Sequence, residues 1–128
     1  MADILVVDDD DIIRGTLCEL LSQDHACQAA DTAEQALAKL QSQAFDVVLT
    51  DISMPGLSGL DLLNRVVQLY PGTPVIIISG LSDEEQAQNL MGRGAFDYLI
   101  KPFRLEVVED SVKRAIERRY SSNPTLVP

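Results

Sequence analysis

Basic residues are scarce in this chain: 10 Lys and Arg stand against 20 Asp and Glu, a net charge of -10. A surface of that sign repels the phosphate backbone of nucleic acids and the anionic face of a membrane, so direct binding to either is not expected. Histidine occurs once, as His25, just ahead of the weakest strand segment, where it reads as an ordinary surface residue. Neither a histidine-based triad nor a zinc site is supported. Cysteine occurs twice, too few for a disulfide framework. Cys18 falls in a helical pattern and Cys27 in a short strand, and each reads as a small buried hydrophobe. A Gly-rich loop closing on Lys-Ser or Lys-Thr is missing, which argues against a P-loop nucleotide hydrolase. Met1-Ala2-Asp3 runs straight into Ile4, with no basic leader and no long apolar run behind it. No signal peptide or membrane span is expected, and the chain reads as soluble and cytoplasmic.

What the chain does have is a core. Of its 128 residues 46% are hydrophobic, enough for one domain that folds without metal or disulfide help. Short apolar runs at Ile4–Val7, Ala26–Ala30, Val47–Thr50, Val75–Ile78 and roughly Ala95–Ile100 predict five strands. Between them lie helical patterns, carried by Ile13, Leu17, Leu20 and Leu21; by Ala33, Ala36, Leu37 and Leu40; by Leu63, Val66, Val67 and Tyr70; and by Ala87, Leu90 and Met91. A fifth, with Val108, Val112, Ala115 and Ile116, closes the chain. Asp10 or Asp11, Thr32 with Gln35, and Ser82 with Glu85 supply helix starts; Gly92 and Gly94 supply a stop. Strands alternating with helices across short loops give an α/β fold, a parallel sheet covered on both faces. The domain is expected to occupy residues 1–120, with 121–128 a linker or frayed tail.

In a parallel sheet every strand delivers its C-terminal end to one edge, where open α/β folds place their chemistry. Asp8 and Asp9, Asp51, Ser79 and Lys101 each end an apolar strand and so gather there. N-capping explains one or two carboxylates of the Asp8–Asp11 run, but four in a row exceed that need. Two carboxylate charges 4 Å apart repel by about 4 kcal/mol at an effective dielectric of 20. Lys101 offsets one charge, and a hard cation such as Mg2+, which takes oxygen ligands, offsets more. Asp51, followed by Pro55 and Gly56 after its strand, is the candidate nucleophile for a phosphoryl group, with the cation and Lys101 neutralising the transferring oxygens. Ser79 offers a hydroxyl to a phosphate oxygen.

Over essentially its whole length the sequence resembles the receiver domain of two-component response regulators. The matching stretches are Leu5 to Asp10, Asp46 to Asp51 with Met54-Pro55-Gly56, Val75 to Ser79, and Gly94 to Phe103. The resemblance implies a flavodoxin-like (βα)5 three-layer sandwich with strand order 2-1-3-4-5. It implies that Asp51 accepts phosphate from the phosphohistidine of a sensor histidine kinase or phosphotransfer protein, followed by slow Mg2+-assisted self-dephosphorylation. By the same resemblance Asp8, Asp9, Asp51 and the carbonyl of Ser53 form the metal site, for Mg2+ or alternatively Mn2+. Lys101 contacts the phosphate and precedes Pro102 through a cis bond, and Ser79 with Tyr98 forms the switch pair. The face made by helix four, strand five and helix five is then the surface that controls a partner or an output domain, in a monomer or a weak, phosphorylation-enhanced dimer. Gly80, Asp10, Ser53 and Leu81 depart from the commonest pattern without removing a catalytic group. Two other readings stay open on the sequence: an interaction module with the same fold that is never phosphorylated, and a phosphate-ester hydrolase, which would need an acid for the leaving group. The closing residues read as those of a fragment cut from a longer regulator, with a stand-alone receiver as the alternative.

Overall fold

Aliphatic and β-branched runs of four or five residues are too short for a stable helix and bury well on a pleated surface, and they set the sheet. The computed structural model describes residues 2–52, 56–80 and 84–122. Within these, β1 (Asp3–Val7), β2 (Ala26–Ala30), β3 (Val47–Asp51), β4 (Val75–Ser79) and β5 (Asp97–Ile100) alternate with α1 (Asp11–Leu21), α2 (Ala33–Ser42), α3 (Gly59–Leu69), α4 (Glu84–Gly92) and α5 (Leu105–Ser122). All strand pairs are parallel, in the order β2-β1-β3-β4-β5. The expected flavodoxin-like arrangement is therefore the one observed. The chain winds outward from β1 in one direction and from β3 in the other, so the switch point lies between those two strands.

Alternation along each strand divides the core in two. Ile4, Val6, Val47, Leu49, Ile76 and Ile78 face α1 and α5, which contribute Leu17, Leu21, Val108, Val112 and Ala115. Leu5, Val7, Val48, Val75 and Ile77 face α2, α3 and α4, where Ala36, Leu40, Leu62, Leu63, Val66 and Leu90 cover them. Strands buried on both faces need no polar alternation, which is why β3 and β4 read as unbroken apolar runs. Each enclosed Ile or Leu contributes about 1.5–3 kcal/mol relative to exposure.

The helix starts are chemically specified. The Asp10 side chain accepts from the N–H groups of Ile12 and Ile13, and Thr32 accepts from Gln35 N–H. Gln35 Oε1 reaches back to the N–H of Asp31 rather than of Thr32, one residue beyond the usual capping box. Ser58 and Asp61 form a full reciprocal box at the start of α3 that the sequence reading did not single out. Ser82, expected to pair with Glu85, lies outside the described residues, as do Leu81 and the segment from Asn123 onward.

Other expectations need correction. α3 buries Leu62 beside Leu63 and Val66, while Val67 is 38% exposed and Met91 of α4 is 44% exposed. The α3 sequence carries apolar residues on two adjacent stripes, and the sheet selects the one that includes Leu62. β5 begins at Asp97, because Gly94, at φ +109°, turns the chain out of α4 and Ala95 still bonds back to Leu90. α5 runs through Ser122. Cys18 and Cys27 pack against the α1/α5 core but stay partly exposed rather than enclosed. His25 is half-buried at the opposite edge of the sheet, its Nδ1 accepting from Ala2 N–H at 3.1 Å. Among the described residues no helix is long and apolar enough to cross a membrane.

Candidate functional site

Hydrogen bonds carry the sheet ladder one residue past several strand ends and thereby fix the edge. Asp8 N–H donates to Ala30 O, Ile52 N–H to Ile78 O, and Lys101 N–H to Ser79 O. Residues that follow β1, β3 and β5 are thus held by their neighbouring strands instead of swinging as loops. Asp8 and Asp51 lie on opposite sides of the topological switch point, beside each other in space although far apart in sequence.

Carboxylate oxygens of Asp8, Asp9 and Asp51 all fall within 4.8 Å of one another. Asp8 is 1% and Asp51 8% exposed, whereas Asp9 faces solvent. Lys101 reaches across the edge: its Nζ is 3.3 Å from Asp8 Oδ2 and 3.5 Å from Asp51 Oδ2. One ammonium against three clustered carboxylates leaves an excess of negative charge in a partly desolvated place. The donor set is all oxygen, the chemistry that suits a hard divalent cation better than zinc or copper. These three acids could therefore hold a metal ion. The other oxygen of Asp8 accepts from Asp10 N–H at 2.9 Å, so its carboxylate is held from both sides. Ser53, expected to complete the metal site, lies outside the described residues.

Ser79 ends β4 and is 1% exposed. Tyr98 is registered opposite Ile77, and Ile100 opposite Ser79. The Tyr98 ring is partly buried against the α2–α4 core, with its hydroxyl 3.4 Å from Gln86 Oε1 of α4. The Lys101–Pro102 peptide is cis.

Three neighbours of the site were not singled out from sequence. Arg14, on the first turns of α1, donates from Nη1 to the carbonyl of Asp8 at 2.8 Å and pairs with Asp11. Glu34 of α2 accepts from Leu57 N–H at 2.9 Å and so ties the segment entering α3 to a different helix. Gly59, the first residue of α3, passes directly against the backbone of Asp51 and Ile52. The one available sequence signal was a glycine at a helix start, a place where it is tolerated for many reasons.

The model of the response regulator receiver domain matches residues 4–113. The chain is 42% identical over 114 residues to the DNA-binding transcriptional regulator NtrC of Salmonella typhimurium, an alignment that covers 88% of this chain and 24% of that protein. It thus spans about a quarter of the length of the curated relatives it matches. Among solved structures, NtrX from Brucella abortus superposes with a TM-score of 0.91 at 36% identity, over 97% of this chain and 29% of that one. A response regulator receiver domain protein from Clostridium thermocellum superposes with a TM-score of 0.87 at 34% identity, over 93% of this chain and 97% of that one.

Proposed function

The chain belongs to the response regulator receiver domain family, and from that premise we propose that Asp51 takes a phosphoryl group from the phosphohistidine of a partner kinase or phosphotransfer protein. Magnesium and phosphorylation are general properties of the family. The single observation that carries the reading is the meeting of Asp8, Asp9, Asp51 and Lys101, from the ends of three strands, within one small acidic cluster.

Asp8, Asp9 and Asp51 would hold Mg2+ (or Mn2+) together with the Ser53 carbonyl. When bound, the ion supplies charge neutralisation on the transferring oxygens. An Asp51 carboxylate oxygen forms the new bond to phosphorus while the phosphorus–nitrogen bond of the donor breaks, and the imidazole leaves with the electron pair. Lys101, already poised 3.5 Å from Asp51, offers its ammonium to a phosphoryl oxygen. The Ser79 hydroxyl donates to another. The added charge of about -1.5 to -2 then biases the packing of Tyr98 and, through it, the face made by α4, β5 and α5. That face is the surface through which the domain, proposed to span residues 1–120 with a linker after it, controls an output domain or partner. It is also where a weak, phosphorylation-enhanced dimer would form from the monomer. Slow loss of the phosphoryl group to water resets the switch.

The test is intact mass after incubation with Mg2+ and acetyl phosphate. One phosphoryl group is expected, absent when EDTA is present and absent from Asp51→Asn. A phosphoryl adduct that persists in Asp51→Asn would remove the assignment.

A further inference from the structure

Away from the acidic edge, the two cysteines of the chain lie close together. Cys18, on the sheet-facing side of α1, and Cys27, on the α1-facing side of β2, bring their sulfurs to 3.0 Å. That is about 1 Å longer than a disulfide bond of ~2.05 Å. Both are free thiols and both are partly exposed. Neither contributes to the phosphoacceptor chemistry. We propose that Cys18 and Cys27 form a hydroperoxide-responsive thiol pair that closes reversibly to a disulfide between α1 and the edge strand β2.

The surroundings assign different roles to the two sulfurs. Cys27 S–H donates to Cys18 Sγ, and with Arg14 one turn earlier on α1 this holds the Cys18 thiol down to about 7, against the opposing effect of burial. Cys27 is pushed well above the ordinary thiol range, because its proton is shared with Cys18 and because it is buried. Cys18 is therefore the attacking thiolate and Cys27 the resolving thiol. In the first step Cys18 sulfur attacks one peroxide oxygen; a sulfur–oxygen bond forms, the oxygen–oxygen bond breaks, and hydroxide leaves to become water on protonation. In the second, Cys27 sulfur attacks the sulfenic sulfur, its proton joins the departing hydroxide, and the sulfur–sulfur bond replaces the sulfur–oxygen bond. Two thiols are oxidised by two electrons as one peroxide becomes two waters. A small thiol reductant reverses the closure by exchange.

The consequence lies in the fold. β2 is an edge strand, paired on one side to β1. A covalent tie from β2 to the middle of α1 closes a short loop of chain, restricts the unfolded state and holds α1 to the sheet. The same helix begins at the Asp10 cap, next to the acidic cluster.

The whole chain, reduced and then treated with stoichiometric hydrogen peroxide, is acid-quenched and its mass read without reductant. Loss of two hydrogens, reversed by dithiothreitol and mapped by digestion to a Cys18–Cys27 linked peptide, is the expected result, together with a higher Tm for the oxidised form. In Cys27→Ser the sulfenic acid at Cys18 persists and dimedone captures it. In Cys18→Ser, as in Cys27→Ser, peroxide forms no disulfide within the chain. Circular dichroism on both serine variants establishes that they are folded. No loss of hydrogens, or linkage only between chains, would overturn the proposal. Phosphorylation by acetyl phosphate is a separate readout, so failure here leaves the function of Asp51 untouched.

Discussion

At Gly59 an added Cβ would sit 2.0 Å from the carbonyl oxygen of Asp51 and 2.6 Å from the Cα of Ile52, both backbone atoms that cannot rotate away. Gly59→Ala is therefore expected to push α3 off the end of β3, with a stability loss of at least about 2 kcal/mol in urea unfolding. Because the atoms displaced belong to Asp51 itself, phosphorylation by acetyl phosphate should also slow; a variant of unchanged stability and rate would contradict the close packing. At this scale the sequence was legible where chemistry stood alone at a strand end. Asp51 and Lys101 follow apolar runs and could be picked out individually. Gly59 and Arg14 could not, because their importance comes from a backbone atom at the end of the preceding strand. The Cys18–Cys27 approach was hidden for a similar reason: it depends on the rotation of α1 about its axis, to within a fraction of a turn.

Among the elements, α5 is fastened at the middle of its buried stripe and again near its C-terminus. Ser111 donates to Asp97 Oδ2 at 2.7 Å, and Arg114 reaches the same oxygen at 3.0 Å, tying the helix to the start of β5. Near its C-terminus, Arg119 pairs with Asp46 Oδ1 at 3.0 Å and donates to Gly72 O at 2.8 Å. Asp46 Oδ2 in turn accepts from Asp3 N–H, so one arginine joins α5 to the entrances of β1, β3 and β4. Arg119→Ala is expected to cost about 1–3 kcal/mol and to raise hydrogen exchange in the last turns of α5 and at the start of β3. Exchange confined to the site of substitution would show that the fastening is local. The sequence supplied the buried stripe of α5, since Val108, Val112 and Ala115 keep strict helical spacing. It did not supply the fastening, because Arg119 is one of several charged residues on that helix and spacing does not say which one turns inward. One margin of the α3 face was misassigned for a related reason: Leu63 and Val66 are buried as expected, but Leu62 and Val67 belong to neighbouring stripes of similar hydropathy, and only packing decides between them.

For the molecule as a whole, the net charge of -10 is not spread evenly, since three carboxylates share one edge. Lys101 offsets part of their mutual repulsion, and a bound divalent cation would offset more. Mg2+ should accordingly raise the unfolding temperature, reaching about 2.7 kcal/mol of stabilisation when its concentration is 100 times its Kd. Asp8→Asn and Asp9→Asn should each weaken that response, measured by calorimetry against Ca2+-free, Mg2+-free protein. An identical Mg2+ response in both variants would place the ion elsewhere. The global order of the fold was legible from the sequence because every strand was punctuated by a polar residue and every helix by a cap or a break. Strand order itself came from resemblance, as periodicity says which residues face the core but not which strands are neighbours.

The most direct measurement is chemical localisation of the phosphoryl group. Protein phosphorylated by acetyl phosphate with Mg2+ is reduced with borohydride, which converts an acyl phosphate to homoserine, and its peptides are sequenced. Homoserine at position 51, and none when Mg2+ is withheld, is the expected result. Homoserine at position 8, 9 or 61 in place of 51, or an unmodified peptide set from phosphorylated protein, would contradict the assignment of Asp51 as the acceptor.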